Sequence, residues 1–96
     1  MRLLAGTITI TTAGTRQRFA SEAKEAIYAI VFRAKTGNAG KFYLGGSDVS
    51  ASVGMEMDPG DSISMELPAG REAALSDFYG DVAANGDQLD YLAAAR

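Results

Sequence analysis

Few side chains in this chain could move a proton, hold a metal or attack a bond. Its 96 residues include no histidine and no cysteine. The commonest general base and the commonest metal ligand are therefore missing together. A serine or threonine nucleophile needs a neighbour to take its proton. Only Lys24, Lys35 and Lys41 remain for that task. Without cysteine there is also no disulfide framework and no thiolate metal site. Two glycine-rich runs, Gly37–Gly40 (GNAG) and Tyr43–Gly46 (YLGG), are not phosphate loops. A phosphate loop needs Gly-Lys followed by Ser or Thr at the start of a helix, and Gly40-Lys41 opens an aromatic strand instead. No cofactor is implied.

The carboxylates come in pairs. Asp58 and Asp61 flank one turn, Asp87 and Asp90 another, and Asp77 and Asp81 share one predicted strand. A glycosidase needs two carboxyls at a set separation across a sugar cleft, and a chain this small with no Trp seldom builds one. Calcium takes about six to eight oxygen ligands, and no Asp-x-Asp-x-Asp-Gly loop is present. The expectation is that these carboxylates cap turns and solvate edges, with a structural calcium as the alternative. Tyr28, Tyr43, Tyr79 and Tyr91 fall within predicted strands, as core or rim residues rather than stacking platforms. Met55 and Met57 are expected as core filler near a turn, and flexible Met also suits an adaptable interface.

The elements that would position these residues are set by turns. Between Thr36 and Ser62 stand Gly37, Gly40, Gly45, Gly46, Gly54 and Gly60, with Asn38, Asp48, Asp58, Pro59 and Asp61 among them. Glycine accepts positive φ, while Asn, Asp and Pro preset turns. Pro59-Gly60 occupies the central positions of a type II turn, and Asn85-Gly86 signals a hairpin between two apolar runs. Asn38, Gly40, Gly45, Asp48, Gly54, Pro59, Gly60, Asn85 and Gly86 are thus singled out as structural turn residues; no catalytic, cofactor-binding or metal-ligating residue is singled out.

Between the turns the pattern has period two. Leu4–Thr12 sets Leu4, Gly6, Ile8 and Ile10 against Ala5, Thr7, Thr9 and Thr11, which predicts a half-buried strand. Further strands are expected at Arg16–Phe19, Lys41–Leu44, Ser62–Leu67, Asp77–Ala84 and Gln88–Ala94, with Val49–Val53 a short extended piece. In Ser62–Leu67, Ile63, Met65 and Leu67 should point inward. Residues 21–35 fit two readings. Ser21 could cap a helix with apolar residues at helical spacing. Alternatively, Ala26–Lys35 is a strand with Tyr28, Ile30, Phe32 and Ala34 on one face and Ile27, Ala29 and Val31 on the other. The β-branched and aromatic content of IYAIVF and the turn-dense surroundings favour the strand. About seven or eight short strands in one domain, residues 1–96, predict a single antiparallel β-sandwich or jelly-roll-like fold.

Bulk properties narrow the function classes. The net charge of −3 hides an asymmetry: residues 1–41 carry seven Lys/Arg and two Glu, and residues 42–96 two Arg and ten Asp/Glu. An acidic chain is a poor nucleic-acid binder. Either the two halves interleave and neutralise each other, or they leave a dipolar surface for docking. MRLLAGTITI has neither the apolar core of a signal peptide nor a membrane span, so the expectation is a chain made in the cytoplasm, with no membrane partner. Much of the 47% hydrophobic content is alanine, so self-association is a plausible source of further burial.

The order of motifs carries a resemblance. The chain opens with TITITTAGTRQRF, continues with IYAIVFRAKTGNAGKFYLGGSDVSASVG, and closes with MDPGDSISMEL and LSDFYGDVAANGDQLDYLA. This resembles a family of small all-β proteins encoded among the structural genes of tailed bacteriophages. The shared features are a Thr-rich first strand, an alanine before an Asn-x-Gly turn, Phe42-Tyr43-Leu44-Gly45, Ser-Asp-Val-Ser, a Pro-Gly turn and a hairpin on Asn85-Gly86-Asp87. Gly45-Gly46 replaces a more polar turn, and Ala93-Ala94-Ala95-Arg96 has two extra alanines. The resemblance implies a non-enzymatic virion protein, a decoration (cement) protein on the capsid exterior. Its implied partners are the major capsid protein and itself, as a dimer or trimer, with the N-terminal strand and the turn-rich stretch at the contacts. A small tail or baseplate component is the alternative within the virion. A free carbohydrate- or calcium-binding β-sandwich is the alternative outside it.

Overall fold

The computed structural model describes residues 2–20, 26–68 and 70–95. Eight strands follow in order: β1 (Arg2–Thr9), β2 (Gln17–Arg18), β3 (Ile27–Ala34), β4 (Phe42–Gly45), β5 (Met55–Met57), β6 (Ser62–Glu66), β7 (Tyr79–Val82) and β8 (Gln88–Ala95). They form two four-stranded antiparallel sheets, β1-β8-β3-β6 (sheet A) and β2-β7-β4-β5 (sheet B). The pairs nest: β1 with β8, β2 with β7, β3 with β6, and β4 with β5. The chain doubles back at its middle, in loop 46–54, and the doubled ribbon rolls into a sandwich. This is the jelly-roll arrangement of two four-stranded sheets, and the expected fold class is the one found. Among the described residues, no helix is long and apolar enough to cross a membrane.

Nesting has a consequence for the turns. Of the consecutive strands, only β4 and β5 share a sheet; every other connection carries the chain from one sheet to the other. Asn85-Gly86 was expected to close a hairpin, but it turns a corner between sheet B and sheet A. The local chemistry is right, since Gly86 has φ +83°, yet the strands it joins pair with β4 and β1 instead of each other. Turn residues encode a reversal, and packing decides which sheet receives the next strand.

Alternation places the core. Ile10, Ile30, Phe32, Ala34, Leu89 and Ala93 point inward from the sheet A side, facing Phe42, Leu44, Met57 and Val82 from sheet B. The four phenylalanines stitch the layers together. Phe32 meets Phe19 and Phe78 edge-on at centroid distances of 5.9 and 5.0 Å, and Phe19 lies 6.3 Å from Phe42. Such pairs add about 0.5–1.5 kcal/mol beyond area burial. Gly80 makes room for them: a Cβ there would lie 2.8–2.9 Å from the rings of Phe42 and Phe19.

Several boundaries and faces differ from expectation. The helix cap at Ser21 lies outside the described residues, and from Ile27 onward the chain is strand. Ile27, expected on the face opposite Ile30 and Phe32, is buried in the core with them, because a register shift between Ile27 and Ala29 breaks the alternation. Val49–Val53 is not an extended piece. Val49 is buried, and Ser50 and Val53 exchange backbone hydrogen bonds across a tight turn. Leu75–Asp77 forms a 3-10 turn that takes in the first residue of the predicted Asp77–Ala84 strand, which begins at Tyr79 instead. Met57 is core as expected, whereas Met55 is 58% exposed and Met65 41% exposed.

Candidate functional site

The turn residues sort to the two ends of the sandwich. At one end, Asn38 acts like a strand residue. Its Nδ2 donates to the Gln88 carbonyl at 2.9 Å, and its Oδ1 accepts the Gln88 N–H at 2.8 Å. Beside it, the buried Asp87 carboxylate accepts the N–H groups of Ala39 and Gly40, each at 2.9 Å. Asn85 Oδ1 accepts the Ala13 N–H, and Gly86 donates to the Ile10 carbonyl. The Pro59-Gly60 turn joins the same end: Gly60, at φ +91°, donates to the Ala34 carbonyl. Asp61 accepts the Asp58 N–H, and Lys41 bridges to Asp58 at 2.9 Å and Glu56 at 3.6 Å. Those carboxylates, Asp58 first by its hydrogen bond, hold the Lys41 ammonium above its ordinary pKa.

At the other end of β4, Gly45 and Gly54 frame the buried Val49. Gly54 has φ +123°, and a Cβ there would sit 2.7 Å from Val49 Cγ2 and 2.8 Å from the Leu44 carbonyl oxygen. Asp48 is exposed at the tip of this loop.

The paired carboxylates do not converge. Asp87 points into the 38–40 turn, while Asp90, three strand residues on, points to the opposite face. There it accepts from Lys35 Nζ at 3.0 Å and Thr7 Oγ1 at 2.7 Å, with Arg33 3.8 Å away. These contacts, the Lys35 hydrogen bond foremost, hold Asp90 below the ordinary carboxylate pKa. Asp77 accepts the Ala74 N–H, and Asp81 those of Gly14 and Val82. Carboxylates as turn caps are what was expected. Among the described residues, no three acidic side chains come together as a metal site would require. The ion pairs of Lys35, Arg33 and Lys41 each join a cation of the basic half to a carboxylate of the acidic half, so for these groups the halves interleave.

One concave feature is apolar. β5 and β6 are the edges of their two sheets on the same side of the sandwich, and the sheets part between them. The gap is a cleft of about 310 Å³ lined by Leu44, Met55, Ile63, Met65 and Phe78, with Asp77 at its rim. Sequence reading pointed Met65 inward by alternation and took Met55 as core filler near a turn, and both side chains do face inward. They are exposed because no strand lies beyond the edges to cover them, and that follows only from strand order. Flexible, polarizable methionines at the mouth of an apolar cleft can mould around an inserted side chain. Pockets of this size usually bind through apolar walls with few polar contacts. No protein-family model matches the chain, and no curated protein matches it.

Proposed function

We propose that this chain is a non-enzymatic structural protein of a tailed-phage virion, a decoration protein bound to the exterior of the capsid shell. The structural observation that supports a contact role is the apolar cleft between the edges of β5 and β6, with Met55 and Met65 exposed at its mouth. The rest of the molecule supports it. The carboxylates described above cap turns or pair with cations, so what the surface offers is contact. The jelly roll also serves viral capsid and lectin domains, and a fold shared so widely does not by itself select a function; the sequence resemblance does the selecting.

The mechanism is mechanical. An apolar side chain of the major capsid protein fills the cleft, and each copy bridges neighbouring capsomers. Surface buried this way must be re-exposed before the shell can expand or rupture. Modest single contacts add up over a lattice. The test is a mass-spectrometric inventory of purified virions with copy number. Hundreds of copies per particle are expected. Three to about a dozen copies would move the chain to the tail or baseplate. Its absence from the particle would overturn the proposal.

A further inference from the structure

Two loops lie over the outer face of sheet B, and they do not close completely. Between loop 13–16 and loop 46–54 is a cavity of about 320 Å³, lined by Gly14, Thr15, Arg16, Val49, Ser50 and Asp81. Asp81, on β7, is only 4% exposed. One of its oxygens is committed: Oδ1 accepts the Gly14 N–H at 2.9 Å and the Val82 N–H at 2.8 Å. The other, Oδ2, accepts from no group of the chain among the described residues. It is not sealed in either, since no fully buried side-chain oxygen among these residues lacks a partner. The cavity that Asp81 lines is therefore where Oδ2 meets solvent. A carboxylate oxygen held this deep gains from any donor that reaches it.

A positive charge stands at the same cavity. Gln17 pairs with Gly80, so one step further along the two strands Arg16 lies opposite Asp81. The two side chains nevertheless form no hydrogen bond or ion pair with each other. Arg16 Nη1 instead reaches across to the Val49 carbonyl of the other loop, at a long 3.4 Å. Its remaining N–H groups have no partner among the described residues. One small space thus holds two opposite full charges, each with hydrogen-bonding capacity to spare.

We propose that this cavity binds a free α-amino acid in its zwitterionic form, the ammonium on Asp81 Oδ2 and the carboxylate on the Arg16 guanidinium. Charge-assisted hydrogen bonds of both kinds are the strong ones, and guanidinium matches carboxylate with two parallel N–H donors. A simple cation would satisfy Asp81 and be repelled by Arg16; a simple anion would meet the reverse. A ligand with both charges on neighbouring groups answers each wall. No aromatic side chain lines the cavity, so a sugar ring would find no face to stack on. Its volume falls at the low end of the roughly 300–1,000 Å³ of small-molecule pockets, the scale of a small amino acid. The inference does not rest on a virion role: binding to the isolated chain and presence in particles are measured separately.

Titration of the full chain with L-alanine, followed in amide NMR spectra, tests the site. The amides of Gly14, Arg16, Ser50 and Val82 should shift and saturate together, while those of Leu3 and Leu92 on sheet A stay in place. Ethylamine and propionate each carry one of the two charges and should bind at least about tenfold more weakly, as expected for one lost charged hydrogen bond. Methyl glucoside should not bind. Arg16→Gln, at an exposed side chain, should weaken alanine binding by at least about tenfold with unchanged circular dichroism. Asp81→Asn, which keeps an acceptor oxygen for Gly14, should weaken it likewise. No saturable shift with L-alanine, equal binding of ethylamine or propionate, binding of the glucoside in its place, or full affinity in Arg16→Gln would each overturn the proposal.

Discussion

The outer faces of the two sheets are built from similar strands and treated in opposite ways. Sheet B's outer face carries Tyr43 and Asp81, both under a tenth exposed. They are covered by the chain itself. Loop 13–16 lies against Asp81 through the Gly14 N–H, and Arg16 reaches the carbonyl of Val49, the buried residue of the 46–54 loop. Among the described residues, sheet A's outer face has no such cover, and Leu3, Leu92 and Val31 stand exposed on it. A sandwich that hides a polar-aromatic face and leaves an aliphatic one bare has its stability in the first and its capacity for contact in the second.

That contrast can be broken by substitution, and the largest effect should come from the cover of sheet B. Gly54→Ala places a Cβ against the Leu44 carbonyl at a backbone conformation that L residues rarely adopt. Strain and overpacking together should cost about 3 kcal/mol, read as a lower denaturant midpoint. If Gly54→Ala proved neutral, the loop would not be holding that face.

A smaller loss is expected from Asp81→Ala, which leaves the Gly14 N–H without its acceptor. An unpaired polar group of this kind costs about 1–3 kcal/mol, and chemical denaturation of the variant measures it. Asp81→Asn, which keeps an acceptor oxygen, should recover part of the loss.

The smallest effect belongs to the bare face. Asp90 has its pKa lowered in the folded protein by Lys35, Thr7 and Arg33. Its contribution is therefore fully present above the unfolded carboxylate value of about 3.9, and is lost as pH falls through the lower folded value. A partly exposed pair of this kind contributes about 0.2–1 kcal/mol. Stability against pH should accordingly fall less steeply at acid pH in Asp90→Asn than in the wild type. Identical acid limbs would show that the contacts on this face add nothing.

Much of the fold was legible from period-two patterning. Leu4, Gly6, Ile8 and Ile10 face inward as read, and the strand reading of Ala26–Lys35 matches Ile27–Ala34. Local rules failed where one residue or one long-range pairing changed the count. A single register shift near Tyr28 turned Ile27 inward, and no propensity announces a bulge. Asn85-Gly86 reversed the chain but could not say which sheet came next. The turn residues Asn38, Gly60 and Asn85 were found because their chemistry is local. The cleft and the bare face were not, since both depend on strand order: the first on β5 and β6 being edges, the second on β8 lying between β1 and β3.

That last placement bears on how the molecule comes into being. β8 is the last of the eight strands to be synthesised, yet it joins β1 to β3. β7, made just before it, likewise joins β2 to β4. Sheet B has no continuous hydrogen-bonded form until β7 is made, and sheet A none until β8, so neither sheet can be completed early on the ribosome. Folding is then one late event dominated by distant pairings, which is the slow regime for small domains. A nascent chain in this state holds its aliphatic residues exposed for the whole interval, and in a cell making many copies at once, chaperone occupancy would set the yield.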